Sequence, residues 1–283
     1  MVTAFDCYLY LQQELSEMGV EESNLEAREL TAFAVDLDAR NTRNWKQIHV
    51  SEQQKQKVNE VLQRRKKDEP LAYILGEWDF YGNRFMVTPD VLIPRGDTEW
   101  LCDAAVQAAK NRKNPRILDL CSGSGCIGIS IALGIPSASV TAVDYSQVAL
   151  AVTKQNAELH QLTSLRFQAV HGNALEPNSI AGEFDLVVSN PPYITEQEMQ
   201  ELDHSVDAFE PHLALFGGED GLDFYRAMAQ NPAFHLQSGG EIFMECGWKQ
   251  GEQVANLFRE AGWKEVRLLR DLAGIERIVT AKK

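Results

Sequence analysis

From about residue 95 to the end of the chain, short apolar runs alternate with helical stretches. The strand candidates are 116–120, 139–144, 165–170, 184–189 and 241–246, followed by 265–269 and 275–281. Few topologies satisfy that alternation. It predicts an α/β fold: a mainly parallel, doubly wound sheet with helices on both faces. The last two strands are separated only by residues 271–274, too short for a parallel crossover, so they are expected to pair antiparallel.

The chain ahead of this pattern reads differently. Tyr8, Leu9, Leu11, Leu15 and Met18 form one apolar stripe that ends near Gly19. Ser23 with Glu26 and Ser51 with Gln54 are expected capping boxes for two further helices, through Leu30, Phe33 and Val35 and through Val58, Val61 and Leu62. Between residues 70 and 94, Trp78, Phe80, Tyr81, Phe85 and Val87 interleave with the turn residues Gly82-Asn83 and Pro89-Asp90, the pattern of a β-hairpin. The expected organisation is a small helical bundle over 1–72, a hairpin linker over 73–95 and the α/β domain over 96–283.

Composition limits the partners. The net charge of −14 is the opposite of what a protein that neutralises many phosphates carries, so direct nucleic-acid binding is not expected. Arg64-Arg65-Lys66-Lys67 is the one dense basic run. It reads as a solvated helix C-terminus, with a contact for an RNA-bearing or acidic partner as the alternative. No apolar run approaches the ~18 residues of a membrane span. The N-terminus carries acids and no early Lys or Arg, unlike a secretory or transit signal, so a cytoplasmic protein is expected. Five cysteines without a C-x-x-C pair and six histidines without ligand spacing point to neither a disulfide framework nor a metal site.

Two motifs carry chemistry. In ILDLCSGSGCIGI, residues 117–129, an apolar strand runs into Gly123-x-Gly125 and then into an apolar helical stretch, a turn that lets a ligand approach the backbone. The next strand ends at Asp144, placed to accept hydrogen bonds from a ribose. Asp119 ahead of the glycines would repel a pyrophosphate and suits a cationic ligand, and no Walker lysine follows. This pattern resembles motif I of class I S-adenosylmethionine-dependent methyltransferases, with Cys121 where the family has its first glycine.

The second motif is Asn190-Pro191-Pro192-Tyr193, which closes the apolar run 184–189. Two prolines stiffen the frame and donate no hydrogen bonds. The Asn190 side chain and the Pro191 carbonyl can accept both hydrogens of a planar –NH2 group while the Tyr193 ring packs on its face. That geometry suits an amide or a nucleobase amine equally. Alkylation by a sulfonium needs alignment and exclusion of water rather than a nucleophilic triad or a metal, and no general base is assigned.

Beyond these two motifs, PLAYILGEWDFYG (70–82), VLIPRGDTE (91–99), ALFGGEDGLDFYR (214–226), MECGWKQG (244–251) and DLAGIERIV (271–279) occur in order. With them the whole chain resembles the peptide-chain-release-factor N5-glutamine methyltransferase family (PrmC/HemK). The resemblance implies a seven-stranded class I methyltransferase sheet and a monomer that methylates the glutamine of the Gly-Gly-Gln motif in class I release factors. S-adenosylmethionine would be the methyl donor and S-adenosylhomocysteine the product. Cys121, Ser122, Gly123, Ser124, Gly125, Asp144, Asn173 and Asn190 would bind the cofactor. Asn190, Pro191, Pro192 and Tyr193 would hold the glutamine, and the helical region would grip the factor elsewhere.

Two departures stand out. Gly96 replaces a common proline, and Asn173-Ala174 replace an Asp-Trp pair flanking the adenine. Asn173 retains a group for the adenine amine, whereas Ala174 cannot stack. Arg95 and Glu99 would either order the cofactor-side loop or pair with each other, and Asp220-Gly221 reads as a turn. The competing functions are N6-adenine methylation of DNA or RNA on a flipped base, and a catalytically idle binding protein that keeps the fold.

Overall fold

The computed structural model describes residues 1–176, 180, 182–230, 236–271 and 273–283. By backbone contacts the chain divides into two compact units: residues 1–77 with His204–Phe209, and residues 78–203 with Glu210–Lys283.

The smaller unit is helical. It comprises α1 (Ala4–Glu17), α2 (Ser23–Val35), α3 (Glu52–Arg65) and the short α4 (Leu71–Leu75) around a core that includes Leu11, Leu15, Leu30, Trp45 and Leu62. Ser51 and Gln54 form the expected capping box on α3. The other two expectations need correction. The buried stripe of α1 is Ala4, Cys7, Leu11 and Leu15, while Leu9 and Met18 face outward. Glu22, not Ser23, precedes α2, because Ser23 is buried in its first turn and the Glu26 carboxylate pairs with Arg65 at 2.7 Å. The basic run is spent within the unit as well. Arg64 pairs with Glu69 at 2.5 Å and Lys66 with Glu14 at 2.5 Å, which favours the structural reading of that run.

The larger unit opens with the hairpin β1 (Glu77–Phe80) and β2 (Asn83–Met86). Its turn is Tyr81-Gly82, one residue earlier than expected, with both residues at positive φ. Then follow α5 (Glu99–Ala109), β3 (Arg116–Leu120), α6 (Cys126–Gly134), β4 (Ser139–Asp144), α7 (Gln147–Leu159), β5 (Phe167–His171) and β6 (Phe184–Ser189). After the short α8 (Glu196–Met199), and after α9 (His204–Phe209), which belongs to the smaller unit, come α10 (Asp223–Gln230), β7 (Leu236–Glu245), α11 (Gly251–Glu260), β8 (Lys264–Arg270) and β9 (Glu276–Lys282).

The described strands form a seven-stranded sheet of order β5-β4-β3-β6-β7-β9-β8. Neighbours from β5 to β7 are parallel, and β9 runs antiparallel to both β7 and β8. This is the expected doubly wound sheet with its last strand reversed. Leu272, in the short connection before β9, lies outside the described residues. Two strand edges moved: Leu165 is 87% exposed and β5 starts at Phe167, while β7 begins early, at Leu236, which pairs with Phe184 of β6.

Side chains alternate across the sheet. Ile117, Val140, Leu186, Val188 and Phe243 face one core with α5 and α6, joined by Phe80 and Phe85 of the hairpin. Leu118, Leu120, Val187, Ile242 and Met244 face a second core with α10 and α11. Asp119 falls on the first of these faces. It is therefore wholly buried beneath α6, where its Oδ2 accepts the Gly128 N–H at 2.9 Å.

Candidate active site

The carboxyl ends of β3, β4 and β6 border a cavity of about 330 Å3. That lies within the roughly 300–1,000 Å3 range of small-molecule sites, at the sheet edge where open α/β folds bind ligands. Of the expected cofactor residues, Cys121, Gly123, Asp144, Asn173 and Asn190 line it, as does Pro192 of the substrate set. Ser122, Ser124 and Gly125 do not. Both serines are buried, and the three residues shape the turn from behind.

That turn is held by backbone geometry. Cys121, Gly123 and Gly125 have φ of 59°, 53° and 79°, so the chain coils tightly between β3 and α6. Cys121 stands where glycine is favoured, at a conformational cost. At Gly125 a Cβ would come within 2.7 Å of Thr153 Cγ2, so the close approach of α7 requires glycine there. From α7, the Thr153 hydroxyl donates to the Gly123 carbonyl at 2.7 Å and Asn156 Nδ2 donates to the Ser124 carbonyl at 2.9 Å.

Asp144 Oδ2 accepts the Gly123 N–H and Oδ1 accepts the Ser146 N–H, both at 2.8 Å. Burial raises its pKa and these amides oppose the rise. Each carboxylate oxygen keeps a lone pair for a further donor. Asp119, by contrast, does not line the cavity, so its charge is no part of a site for a cation. Burial pushes its pKa up to about 7. Asn173 lines the cavity and is also held within its own turn. Its Oδ1 accepts the Leu175 N–H at 3.0 Å and its Nδ2 donates to Glu176 at 3.3 Å, so it braces its own turn. Ala174 is 5% exposed, packed in the second core. Ala174 still borders the cavity, and an unanticipated aromatic lines it as well: Tyr145, 57% exposed, its ring 5.9 Å from that of His171.

The Asn190–Tyr193 segment follows β6 and is clamped from outside. Ile194 N–H donates to Leu215 O and Gly217 N–H to Ile194 O, both at 2.9 Å. Gln250 Nε2 donates to the Tyr193 carbonyl at 3.0 Å and to that of Gly221 at 3.4 Å. A Cβ at Gly221 would lie 2.3 Å from the Tyr193 carbonyl oxygen, so this glycine is required by close packing. The ALFGGEDG and GWKQG segments thus brace the Pro-Pro-Tyr backbone. Burial raises the Tyr193 pKa to about 12, which keeps its hydroxyl protonated.

Asn190 Nδ2 donates to Thr98 Oγ1 at 3.2 Å. Among the described residues no donor is recorded to Asn190 Oδ1 or to the Pro191 carbonyl. Arg95 does not pair with Glu99. Its guanidinium holds Glu210, whose carboxylate also accepts the Ile93 N–H at 3.3 Å, while Glu99 accepts the Tyr81 N–H at 2.7 Å. Sequence reasoning overlooked Glu245, 4% exposed at the end of β7, whose one signal is an acid closing the apolar run Ile242-Phe243-Met244.

Residues 102–208 match the model of the methyltransferase small domain, and residues 7–76 match that of the PrmC N-terminal domain. A bifunctional methyltransferase of Rickettsia bellii is 36% identical over 94% of this chain, and the chain spans 52% of that relative's length. A release factor glutamine methyltransferase of Koribacter versatilis is 35% identical, with 99% of this chain and 97% of that one covered. A solved methyltransferase from Pyrococcus furiosus shares the fold, with a TM-score of 0.50 at 16% identity, covering 70% of this chain and 88% of that one. Near-complete coverage of the Koribacter relative at this identity decides the matter: the chain belongs to the release factor glutamine methyltransferase family.

Proposed function

We propose that the protein transfers a methyl group from S-adenosylmethionine to the side-chain amide nitrogen of the glutamine in the Gly-Gly-Gln motif of class I release factors. The observation that carries this reading is Asn190. Its –NH2 is engaged by Thr98, while its Oδ1 and the Pro191 carbonyl remain available as two adjacent acceptors. A primary amide presents the two N–H groups such a pair accepts.

The cavity fits the methyl donor. Asp144 keeps acceptor capacity for ribose hydroxyls, and a Cβ at Gly123 would meet no atom within 4 Å, which leaves room against that backbone. Val91, Leu92 and Leu213 supply apolar wall. When bound, S-adenosylmethionine supplies an electrophilic methyl on a sulfonium, whose sulfur keeps the bonding pair as a neutral thioether. Asn190 and Pro191 orient the amide and raise electron density on its nitrogen, and Tyr193 covers its face. The nitrogen gains the methyl and releases one proton to solvent. Most of the acceleration comes from alignment and exclusion of water.

In this reading the helical region, residues 1–72, recognises the release factor away from the glutamine. The protein acts as a cytoplasmic monomer. No helix among the described residues is long and apolar enough to cross a membrane.

The test is to incubate the protein and labelled S-adenosylmethionine with an unmodified release factor, duplex DNA and RNA, and to locate the label by mass spectrometry. Label is expected on the Gly-Gly-Gln glutamine. Label on nucleic acid alone would replace this reading by adenine methylation, and no label anywhere by the idle binding protein.

A further inference from the structure

Beneath Asn190 lies a buried polar cluster that the reaction as derived does not use. Thr98 is 2% exposed and Glu245 4%. Thr98 stands at the N-terminus of α5, yet its side chain makes no capping bond, so its hydroxyl is free to serve the cluster. Oγ1 accepts from Asn190 Nδ2. Ser189 of β6 pairs with Met244 of β7, so Asn190 and Glu245 follow next to each other at the carboxyl ends of two parallel strands, and the Thr98 hydroxyl and the Asn190 amide hold the Glu245 pKa down against burial. Its Oε2 has no hydrogen-bond partner among the described residues. A buried carboxylate with an unpartnered oxygen is a costly feature, and replacing it with an apolar side chain would relieve that cost. What the carboxylate does to its neighbours is the reason to look further.

An amide can present either end to a ligand. A chain of hydrogen bonds removes that freedom when its far end only accepts. Ionised Glu245 is such an end. Once it accepts a hydrogen bond from the Thr98 hydroxyl, Oγ1 is left as an acceptor, and the Asn190 –NH2 must then point inward. We propose that Glu245 is a positioning residue that fixes the direction of the Asn190 amide, directly and through Thr98, so that Oδ1 faces the target nitrogen. This rests on the glutamine-methylation reading above.

Protonated Glu245 is also a donor. Thr98 then no longer needs to donate its hydrogen bond to Glu245, and the inward pull on the Asn190 –NH2 weakens. Burial pushes the Glu245 pKa up to about 7, with Asp97 raising it and Arg277 of β9 lowering it. Tyr193, Tyr225, Cys102, Cys126 and Cys246 also sense this charge, but burial raises all five pKa values, so they stay neutral across neutral pH. Turnover should therefore rise with pH through about 7, as Glu245 ionises.

The experiment measures turnover on an unmodified release factor from pH 5.5 to 9, with cofactor affinity by calorimetry. Wild-type labelling of the factor tests the activity itself, and the variants, compared with wild type, test Glu245. For Glu245→Gln, turnover at pH 8 should fall about tenfold, since small displacements of a positioning group cost up to ~10²-fold. The acid limb should vanish and cofactor affinity stay within about threefold. Thr98→Val should match that loss, and Thr98→Ser should restore most of it. Should Glu245→Gln not fold, the two Thr98 variants decide alone. Wild-type turnover and acid limb in Glu245→Gln, or wild-type turnover in Thr98→Val, would overturn the proposal.

Discussion

The two halves of the cavity are built from different materials. Around Cys121–Gly125 the shape is made by backbone: positive φ angles, an amide aimed at Asp144, and carbonyls clamped by Thr153 and Asn156. Around Asn190 it is made by buried side chains, with Thr98 and Glu245 behind the amide. Backbone amides cannot change direction or titrate, which suits a surface that must hold the same cofactor in every cycle. An amide steered by a carboxylate is adjustable, and the adjustment is pH. On the proposed reading, binding belongs to the first half and turnover to the second.

The largest expected effect breaks the second half. Asn190→Ala should lower turnover by about 10² or more, the scale seen when one group aimed at the reacting centre is removed. Cofactor affinity should stay within a few-fold by calorimetry. Equal loss of both would make Asn190 a structural residue and dissolve the division of labour.

Asp144→Ala is the converse. It removes a carboxylate that the Gly123 and Ser146 amides already orient. Lost hydrogen bonds to a charged group correspond to roughly 1.5–3 kcal/mol, so cofactor affinity should weaken roughly 10- to 100-fold. Turnover at saturating cofactor should be largely retained. A fall in saturated turnover with unchanged affinity would move Asp144 into the other half.

Gly125→Ala tests the backbone half through stability. The new Cβ meets Thr153 Cγ2 at 2.7 Å at a φ of 79°, which costs roughly 1–3 kcal/mol by overpacking and strain. A lowered denaturation midpoint by urea titration is expected. An unchanged midpoint would mean that α7 yields and that the turn is less constrained than its geometry implies.

The same contrast explains what the sequence disclosed. The glycine turn and Asp144 are close in the chain, and each glycine's role is local, so spacing alone announced them. Asn190 was visible because two prolines mark it. Its support was not: Thr98 lies 92 residues earlier, and Glu245 arrives on a different strand. Asp119 was misread for a related reason. Spacing placed an acid near the glycines, but the pleat of β3 turned it away from the cavity and under α6. Tyr145 was adjacent to Asp144 all along, and only the shape of the cavity gives it a place.

Asp119 supplies the smallest and most specific test. Its folded pKa is about 7, raised chiefly by burial and opposed by the Gly128 N–H, against about 3.9 in an unfolded chain. Below the unfolded value both states hold the proton, and the stability of the neutral buried acid is fully present. As pH rises through the folded value, the unfolded chain has already ionised and that stability is lost. Asn at this position keeps an acceptor for Gly128 and cannot titrate. The melting temperature of Asp119→Asn relative to wild type should therefore increase from pH 5 to pH 8, by a few degrees. Turnover should keep the wild-type acid limb, because the group that produces it is Glu245. A difference in melting temperature that stays flat with pH would show that Asp119 is not the buried acid its position implies. Loss of the acid limb in this variant would transfer the pH response to the backbone half and reverse the comparison.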